Sequence, residues 1–407
     1  MATARAADPI LRAALRPSPF TRCPARIRGA TPRTPVRWMS GPYGYTQAKA
    51  LVFSEYGEPK DVLKVHTHSI SPDLPASSVL LRTLAAPINP ADVNTIQGTY
   101  GSKPTFSSLI GTAAPSALPG NEGVLEVVSS SAPDLAKGDW VIPARTGFGT
   151  WRTHAVAPAE SVIKIDRTGL APLQAATVGV NPCSAYRLLR DDRVAPPLRE
   201  GDWFIQNGAN SAVGRAAIQL GRLWGYRSIN VVRARGDADA DADRKLADEL
   251  RALGADHVVT DKDALARDFR ARAAEWTRDA GGIRLGLNCV GGKSADMIAG
   301  ALAAGGTMVT YGAMARKPVT LPAGLLIFKD IRFVGFWLSR WADADRDAKA
   351  RTVAEILDLV REGKFTDAPV APVPWDWETG EDTLRAAVQG TLDGFRAGKG
   401  VFVFGET

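Results

Sequence analysis

The alternation of strands and helices over residues 201–338 constrains the fold of this chain more than any other feature. Six short apolar runs look like strands covered on both faces: Trp203–Gln206, Ser228–Val232, His257–Thr260, Leu285–Val290, Thr307–Tyr311 and Phe333–Leu338. Four helical patterns lie between them: Val213–Trp224, Asp241–Leu253, Leu265–Thr277 and Lys293–Ala303. Parallel strands need crossovers of this kind, whereas antiparallel strands need only hairpins. The sequence therefore predicts an α/β fold with a doubly wound parallel sheet in this half.

The residues before this half predict an irregular β domain. Short strands are separated there by Gly, Pro, Asn and Asp: Lys49–Phe53, Val62–Ile70, Val79–Thr83, Val124–Ser129, Trp140–Ala144 and Thr150–Ala157. The tail contains two helical patterns, Asp345–Arg361 and Glu381–Ala397, and a closing strand, Gly400–Phe404. It is too short to form a domain of its own, so we expect it to pack on the first half. A length of 407 residues also favours two domains.

The net positive charge of the chain comes entirely from its first 45 residues. This segment has eight arginines, no lysine and one acid, Asp8, and the rest of the chain has 42 basic and 42 acidic residues. A neutral remainder argues against a basic face for nucleic acid. An arginine-rich, acid-poor segment without a continuous apolar run is typical of a mitochondrial transit peptide. We therefore expect residues 1–45 to be an import signal for the mitochondrial matrix, with a disordered basic tail as the alternative.

Other classes of protein are excluded by simple counts. No apolar run approaches the roughly 20 residues that span a bilayer, so no membrane span is expected. Three cysteines and four histidines exclude a disulfide scaffold and a cysteine-rich zinc module. A zinc site made from scattered His and acidic residues stays open at this point.

A small-residue turn follows the first strand of the α/β half. The segment Asn207–Gly214 reads NGANSAVG and leads directly into an apolar helix. Small residues let the backbone approach a pyrophosphate, and the helix amides and dipole attract it. The turn has Ala209, Ser211 and Gly214 at the positions of the three glycines in G-x-G-x-x-G. A dinucleotide site is predicted, with a plain strand-to-helix turn as the alternative.

The next strand discriminates between the two nicotinamide cofactors. An NAD site normally has an acidic residue here that binds the ribose hydroxyls. This strand instead ends in Arg233-Ala234-Arg235. Two guanidinium groups attract a 2′-phosphate, so NADPH is favoured over NADH. The alternative is a pair of solvated arginines.

The ordered motifs of residues 46–407 resemble one family. They are Ile88–Pro104 (INPADVNTIQGTYGSKP), Gly120–Gly123 (GNEG), Gly149–His154 (GTWRTH), Gly179–Arg187 (GVNPCSAYR), Gln206–Gly214 (QNGANSAVG), Ile229–Arg235 (INVVRAR), Asn288–Lys293 (NCVGGK), Gly306–Met314 (GTMVTYGAM), Leu326–Leu338 (LIFKDIRFVGFWL) and Gly398–Gly400 (GKG). The chain resembles the medium-chain dehydrogenase/reductase superfamily. Since residues 46–182 contain no cysteine, it resembles the zinc-free branch, and within it the mitochondrial trans-2-enoyl thioester reductases.

The resemblance implies an organisation and a cofactor. It implies a GroES-like catalytic domain over residues 46–180 and 345–407, a Rossmann NADP-binding domain over residues 181–344, and no metal. It implies NADPH contacts at Asn181, Asn210, Ser211, Ala212, Val213, Arg233, Ala234, Arg235, Tyr311, Gly312, Ala313, Met314, Phe336, Trp337, Leu338 and Lys399. Ala234 departs from the Asp that many relatives have between these arginines. A homodimer is expected, as is a substrate carried by acyl carrier protein or coenzyme A.

The implied reaction needs a hydride at Cβ of a 2-enoyl thioester and a proton at Cα. The resemblance assigns the proton to Tyr100, whose phenol stays protonated at neutral pH because its ordinary pKa is about 10. Asn89 and Asp92 either orient this site or cap a turn, and Trp337 either lines the acyl channel or packs in the core. Cys183 and Cys289 are expected to be small core residues. The alternatives are a zinc-free quinone or enone reductase and a non-catalytic NADPH-binding protein.

Overall fold

The computed structural model describes residues 44–235, 240–392 and 398–405 of the chain. The predicted transit peptide therefore lies outside the described residues, except for Gly44 and Tyr45. Within the described residues no helix is both long and apolar enough to cross a membrane.

The α/β half contains a fully parallel six-stranded sheet, which confirms the predicted fold class. Its strands are β8 (Trp203–Asn207), β9 (Arg227–Val232), β10 (His257–Thr260), β11 (Ile283–Asn288), β12 (Leu302–Thr310) and β13 (Arg332–Gly335). Its helices are α4 (Asn181–Arg190), α5 (Ala212–Leu223), α6 (Ala240–Leu253), α7 (Asp261–Ala264), α8 (Phe269–Trp276), α9 (Gly292–Ala301), α10 (Ala323–Lys329) and α11 (Leu338–Ala344). The spatial order of the strands is β10-β9-β8-β11-β12-β13. The chain builds the sheet outward from β8, first toward β10 on one side and then toward β13 on the other, and such a switch point is where open α/β sheets bind ligands.

The first half contains a two-stranded sheet and most of a seven-stranded, mixed sheet. Its strands are β1 (Thr46–Val52), β2 (Lys64–Ile70), β3 (Ser78–Pro87), β4 (Val124–Ser130), β5 (Trp140–Pro143), β6 (His154–Pro158) and β7 (Val162–Ile165), and its helices are α1 (Pro59–Val62), α2 (Pro90–Ile96) and α3 (Pro172–Thr177). The strands β1 and β2 pair with each other, and the larger sheet is built on β3.

The tail adds two strands to that larger sheet. It contains α12 (Arg346–Arg361), β14 (Val370–Trp375), α13 (Glu381–Gln389) and β15 (Lys399–Phe404). The strand β15 pairs antiparallel with β3, and β14 pairs parallel with β15 at the edge. One apolar cluster joins the two large sheets, because it contains Ile142 and Val401 from one and Phe204 and Val309 from the other. The two large sheets therefore share one apolar core.

Several predicted boundaries were wrong, and each has a local cause. The last parallel strand ends at Gly335 and Leu338 begins α11, because Trp341 and Ala342 of that helix are buried. The strand predicted over Thr150–Ala157 begins only at His154; Gly149 before it has a φ of +75°, which turns the chain. The helix predicted to Ala397 ends at Gln389, and residues 393–397 lie outside the described ranges.

Candidate active site

Tyr100 lies where the first half meets the end of the parallel sheet. Its segment follows α2, and the Asn94 carbonyl accepts hydrogen bonds from the backbone N–H groups of Thr99 and Tyr100, at 2.8 and 3.1 Å. The Trp337 indole Nε1 donates to the Tyr100 hydroxyl at 2.8 Å, and the Ser339 hydroxyl lies 3.3 Å from it. The two rings meet edge to face with centroids 5.9 Å apart. Trp337 is therefore a half-buried partner of Tyr100 and not a core residue of a late strand.

The small-residue turn has the geometry that binds an anion. Ser211 is the N-cap of α5, and its hydroxyl accepts from the Gly214 amide at 3.1 Å. A Cβ on Gly214 would lie 2.5 Å from the Ala209 carbonyl oxygen, so only glycine allows this helix to approach the turn. Gly208 has a φ of +61°, a left-handed conformation that favours glycine. The exposed Asn210 accepts from Arg215 at 2.8 Å, and Ala212 and Val213 form the first helical turn.

The two arginines at the end of β9 are exposed on either side of the half-buried Ala234. The main chain beside them is fixed by two carboxylates: Asp261 accepts from the Ala234 amide at 2.9 Å, and Asp243 accepts from the Arg235 amide at 3.2 Å. The guanidinium groups of Arg233 and Arg235 are thus presented from a positioned loop.

The segment Tyr311–Met314 follows β12 and is attached to the loop after β11. The Tyr311 amide donates to the Asn288 carbonyl at 3.0 Å, and the Met314 amide donates to the Cys289 carbonyl at 2.9 Å. Burial raises the pKa of the Tyr311 phenol well above its ordinary value. Gly312 is half-buried, and Ala313 and Met314 are exposed.

The predicted cofactor residues follow four strands of one sheet. Asn210–Val213 follow β8, Arg233–Arg235 follow β9, Tyr311–Met314 follow β12 and Phe336–Leu338 follow β13. Because the carboxyl ends of parallel strands share one edge, these segments border a single crevice. The structure thus places all four at one edge of the sheet, the edge at which open α/β sheets bind ligands.

The remaining two predicted residues, Asn181 and Lys399, line a cleft of about 360 Å³ together with Ala212. Asn181 begins α4 and Lys399 begins β15. Both donate to the same atom, Asn89 Oδ1: Asn181 Nδ2 at 3.3 Å and Lys399 Nζ at 2.5 Å. The segment Phe365–Ala368 forms another wall of this cleft, and hydrogen bonds between Thr366 and Gln219 at 2.8 and 3.0 Å attach that wall to α5.

A group of buried charges lies behind these residues. Glu122 is 3% exposed and accepts from Asn89 Nδ2 and the Val180 amide, both at 2.8 Å. Asp92 is 1% exposed, caps α2 by accepting from the Asn89 amide at 2.9 Å, and accepts from the amide and side chain of Asn121. Burial raises the pKa of Glu122 and raises that of Asp92 to about 6. Asp92 is therefore a cap, whereas the Asn89 side chain bonds to two residues that line the cleft, Asn181 and Lys399.

Two lysines provide the opposite charge. Burial lowers the pKa of Lys399 and of Lys349, while Glu122 acts on both in the opposite direction. Lys349 is 7% exposed and donates to the Pro143 carbonyl at 2.9 Å. Glu122 and Lys349 line one small cavity together with Asn121 and Val180.

Sequence reasoning did not single out Glu122, Lys349 or Ser339. The only local signal for Glu122 is an acidic residue between Gly120 and Gly123, just before an apolar strand, and this does not reveal that the side chain is buried. No comparable local signal marks Lys349 or Ser339, since their neighbours come from distant parts of the chain.

The cysteines of the described residues lie apart from acid–base chemistry. Cys183 and Cys289 are free and buried, and burial raises the pKa of the Cys183 thiol to about 12. This agrees with their prediction as core residues. The described ranges also contain no cluster of three His, Cys, Asp or Glu residues able to hold a metal ion.

Comparison with known proteins assigns the chain to a family. A family model described as zinc-binding dehydrogenase matches residues 212–356. The mitochondrial enoyl-acyl-carrier-protein reductase of Yarrowia lipolytica is 46% identical over 353 residues, covering 86% of this chain and 90% of the relative. The human protein of the same name is 44% identical over 332 residues, covering 81% and 83%.

Solved structures agree with this assignment. A structure of the Etr1p/NADP/crotonyl-CoA complex is similar with a TM-score of 0.81 and 37% identity, covering 88% of this chain and 99% of that one. A mitochondrial 2-enoyl thioester reductase Etr1p/Etr2p heterodimer from Candida tropicalis has the same TM-score and coverage at 39% identity. The chain belongs to the family of mitochondrial enoyl-acyl-carrier-protein reductases.

Proposed function

We propose that this chain reduces the 2,3-double bond of trans-2-enoyl thioesters with NADPH, and that Tyr100 donates the proton to Cα. The family assignment supports the reaction, and the name of one similar structure includes both NADP and crotonyl-CoA. The observation that supports the role of Tyr100 is its hydroxyl, which Trp337 and Ser339 hold at the end of the parallel sheet.

The chain has the residues that a bound NADPH requires. The α5 N-terminus, with the close approach allowed by Gly214, fits the pyrophosphate. Arg233 and Arg235 fit the 2′-phosphate, and Asn181 and Lys399 line the cleft beside α5. The segments Tyr311–Met314 and Phe336–Leu338 complete the crevice. When bound, the cofactor supplies the hydride that the reaction needs.

The contacts of Tyr100 suit it to act as an acid. The Trp337 indole is a donor only, so the Tyr100 oxygen accepts that bond and its own proton stays available to Ser339 or to the substrate. A donor aimed at the oxygen also stabilises the phenolate left after proton transfer. The same hydroxyl can donate a hydrogen bond to the enolate oxygen before Cα is protonated, which is the role of an oxyanion donor.

The cellular setting is the mitochondrial matrix, with the substrate carried by acyl carrier protein and with residues 1–45 removed on import. The arginine-rich composition of that segment supports the address. Reduction of an enoyl group on a carrier protein would be the last step of a mitochondrial fatty-acid synthesis cycle.

A homodimer would form at the β13 edge of the parallel sheet. The strand β13 is at one end of the sheet order, and the neighbouring α10 exposes Leu326, Ile327 and Phe328, the last of them 83%. An open edge strand beside an apolar surface is suited to pairing with a second copy. The similar heterodimer supports a pair of subunits.

The domain division follows the two large sheets. Residues 46–180 and 345–407 would form the catalytic domain, because β14 and β15 of the tail pair within the sheet of the first half. Residues 181–344 would form the cofactor domain. Tyr100 would then come from the catalytic domain and its hydrogen-bond partner Trp337 from the cofactor domain, with no metal required between them.

Steady-state kinetics of the chain without residues 1–45 test the function. Crotonyl-CoA and longer 2-enoyl-CoA thioesters should oxidise NADPH efficiently, and NADH should be a much poorer donor. A quinone is the comparison substrate, since a quinone reductase from Bacillus thuringiensis has a similar structure, with 25% identity and a TM-score of 0.72. Faster turnover of quinones than of enoyl thioesters would contradict the proposal, and binding of NADPH without turnover of either would indicate a non-catalytic protein.

A further inference from the structure

The Asn89 side chain is the centre of the buried polar group, and each of its atoms has a defined partner. Asn89 Nδ2 donates to Glu122 Oε2, and Asn89 Oδ1 accepts from both Asn181 Nδ2 and Lys399 Nζ. Asn89 is 4% exposed, so the amide has little water to replace these bonds. Its orientation matters because the two residues that donate to Oδ1, Asn181 and Lys399, line the cleft beside α5.

Glu122 determines that orientation. Burial opposes the charge on Glu122, but Lys399 and the hydrogen bonds from Asn89 and Val180 favour the ionised carboxylate. An ionised carboxylate only accepts hydrogen bonds, and its other oxygen already accepts from the Val180 amide. The Asn89 NH₂ group must therefore face Glu122, and the Asn89 carbonyl must face Lys399 and Asn181. In the reverse orientation the Asn89 NH₂ group would face the Lys399 ammonium and the Asn181 NH₂ group, which are all donors. The Asn89 carbonyl oxygen would face the Glu122 carboxylate, so two buried acceptors would meet, which is costly in a dry site.

Asn89 is also joined to the segment that carries Tyr100. Its backbone is the N-cap of α2, and Asp92 fixes the first turn of this helix. Asn94 in the same helix accepts from the Tyr100 amide. A shift of Asn89 would therefore displace α2 and, with it, the loop that presents the Tyr100 hydroxyl to Trp337 and Ser339.

A second set of contacts connects the same group to the other partner of Tyr100. Asn121, bonded to Asp92, also accepts from the Gly147 amide at 2.6 Å. Neighbouring Thr146 bonds to Asp343 through its amide and hydroxyl, at 3.0 and 2.8 Å. Asp343 lies in α11, the helix that begins beside Trp337 and contains Ser339. The buried group thus supports both sides of the Tyr100 hydrogen bonds.

We propose that Glu122 is a positioning residue, which fixes the Asn89 amide so that Lys399, Asn181 and the Tyr100 loop keep one arrangement across the cofactor cleft. This inference rests on the proposed function. Lys399 is then more than a cofactor contact, because its ammonium also gives the buried carboxylates a counter-charge. Glu122 touches no reacting atom and acts through Asn89.

Glu122→Gln tests the proposal, because it preserves the shape of the side chain and reverses one hydrogen-bond polarity. The new amide can accept from Val180 but must donate toward Asn89. We expect kcat for crotonyl-CoA to fall about ten- to a hundredfold, the effect of mispairing a buried charged hydrogen bond. The dissociation constant for NADPH, measured by protein fluorescence, should rise as well, since Lys399 and Asn181 lose their common acceptor.

The reciprocal double variant Glu122→Gln/Asn89→Asp gives a sharper result. The new glutamine can donate to the new carboxylate, which still accepts from Asn181 and Lys399, so the pattern and the net charge are restored. Asn89→Asp alone places two carboxylates together, which is unfavourable. We expect the double variant to exceed the single variants in kcat and in NADPH affinity by about fivefold or more.

Asp191→Asn is the matched control, because Asp191 is another buried carboxylate, 5% exposed, held by Arg187 and Arg193 at the far end of α4. It should lower the melting temperature and leave kcat near that of the wild type. If Glu122→Gln behaves like this control, or if a folded double variant is no more active than Glu122→Gln, the positioning role is wrong. Failure of the wild type to reduce crotonyl-CoA would instead contradict the proposed function.

Discussion

At the scale of single residues, the hydroxyl of Tyr100 separates packing from chemistry. Tyr100→Phe keeps the ring that packs edge to face on Trp337 and removes only the donor. We expect kcat to fall by roughly 10²–10⁴, the usual contribution of general acid catalysis, with a much smaller change in KM. Steady-state kinetics with crotonyl-CoA check this. Retention of more than about a third of the wild-type kcat would show that Tyr100 is not the essential acid.

The two arginines after β9 should determine the preference between the two cofactors. Arg233→Ala/Arg235→Ala should raise KM for NADPH far more than KM for NADH, because only NADPH has the 2′-phosphate. Each lost charged contact is worth roughly 1.5–3 kcal/mol, or about ten- to a hundredfold. Arg251→Ala is a suitable control, since this exposed arginine pairs with Asp248 on the outer part of α6. Equal losses for both cofactors would place the arginines away from the ribose.

Residue patterns lead to site predictions only where the expected chemistry has a local signature. The small-residue turn and the arginine pair are candidates for cofactor binding because the residues of each are adjacent in sequence. Glu122 and Ser339 could not, since the first is defined by Asn89 and Val180 and the second by Tyr100, which is 239 residues away. Sequence patterns do not distinguish a channel position from a core position for Trp337 for the same reason, since its partner Tyr100 is 237 residues away.

At the level of secondary-structure elements, two buried histidines on strands of the first half make the stability of the fold depend on pH. Burial lowers the pKa of His154 on β6 and of His68 on β2 to about 4. Unfolded histidines bind protons below about pH 6.5, whereas these two stay neutral in the fold. Stability is therefore complete above that pH and falls as the pH decreases from about 6.5 to 4. The shifted pKa of His154 alone accounts for a loss of about 3 kcal/mol in the free energy of unfolding over this pH range.

Denaturant unfolding at a series of pH values between 7 and 4.5 measures how the free energy of unfolding depends on pH. His154→Gln should flatten the dependence of the free energy of unfolding on pH, because glutamine does not titrate. An equally steep dependence in the variant would show that His154 is not the cause.

The elements also show why sequence patterns were incomplete. The strand β14 was not predicted, because its sequence VAPVPW contains two prolines; they are tolerated since β14 is the edge strand of its sheet. The parallel sheet was easier to predict, since its strands are buried on both faces and separated by helices. Its last strand was placed too far because the apolar run continues into α11.

For the whole molecule, the sequence predicts a transit peptide over residues 1–45, followed by the enzyme. Residues 1–45 fused to a reporter should carry it into mitochondria, because eight arginines and one acid suit import driven by a membrane potential. The control fusion replaces these arginines with glutamine and should stay in the cytosol. N-terminal sequencing of the mature chain is the second readout, and a mature start upstream of Arg12 would contradict the transit peptide.

The positions of the two hydrogens added to the product show directly whether hydride from NADPH goes to Cβ and a solvent-derived proton to Cα. The chain without residues 1–45 would be incubated with crotonyl-CoA and NADPH that carries deuterium on the transferred position, and separately with unlabelled NADPH in heavy water. Butyryl-CoA should carry cofactor deuterium at Cβ only and solvent deuterium at Cα only. Absence of butyryl-CoA, or cofactor deuterium at Cα, would contradict the proposed reaction.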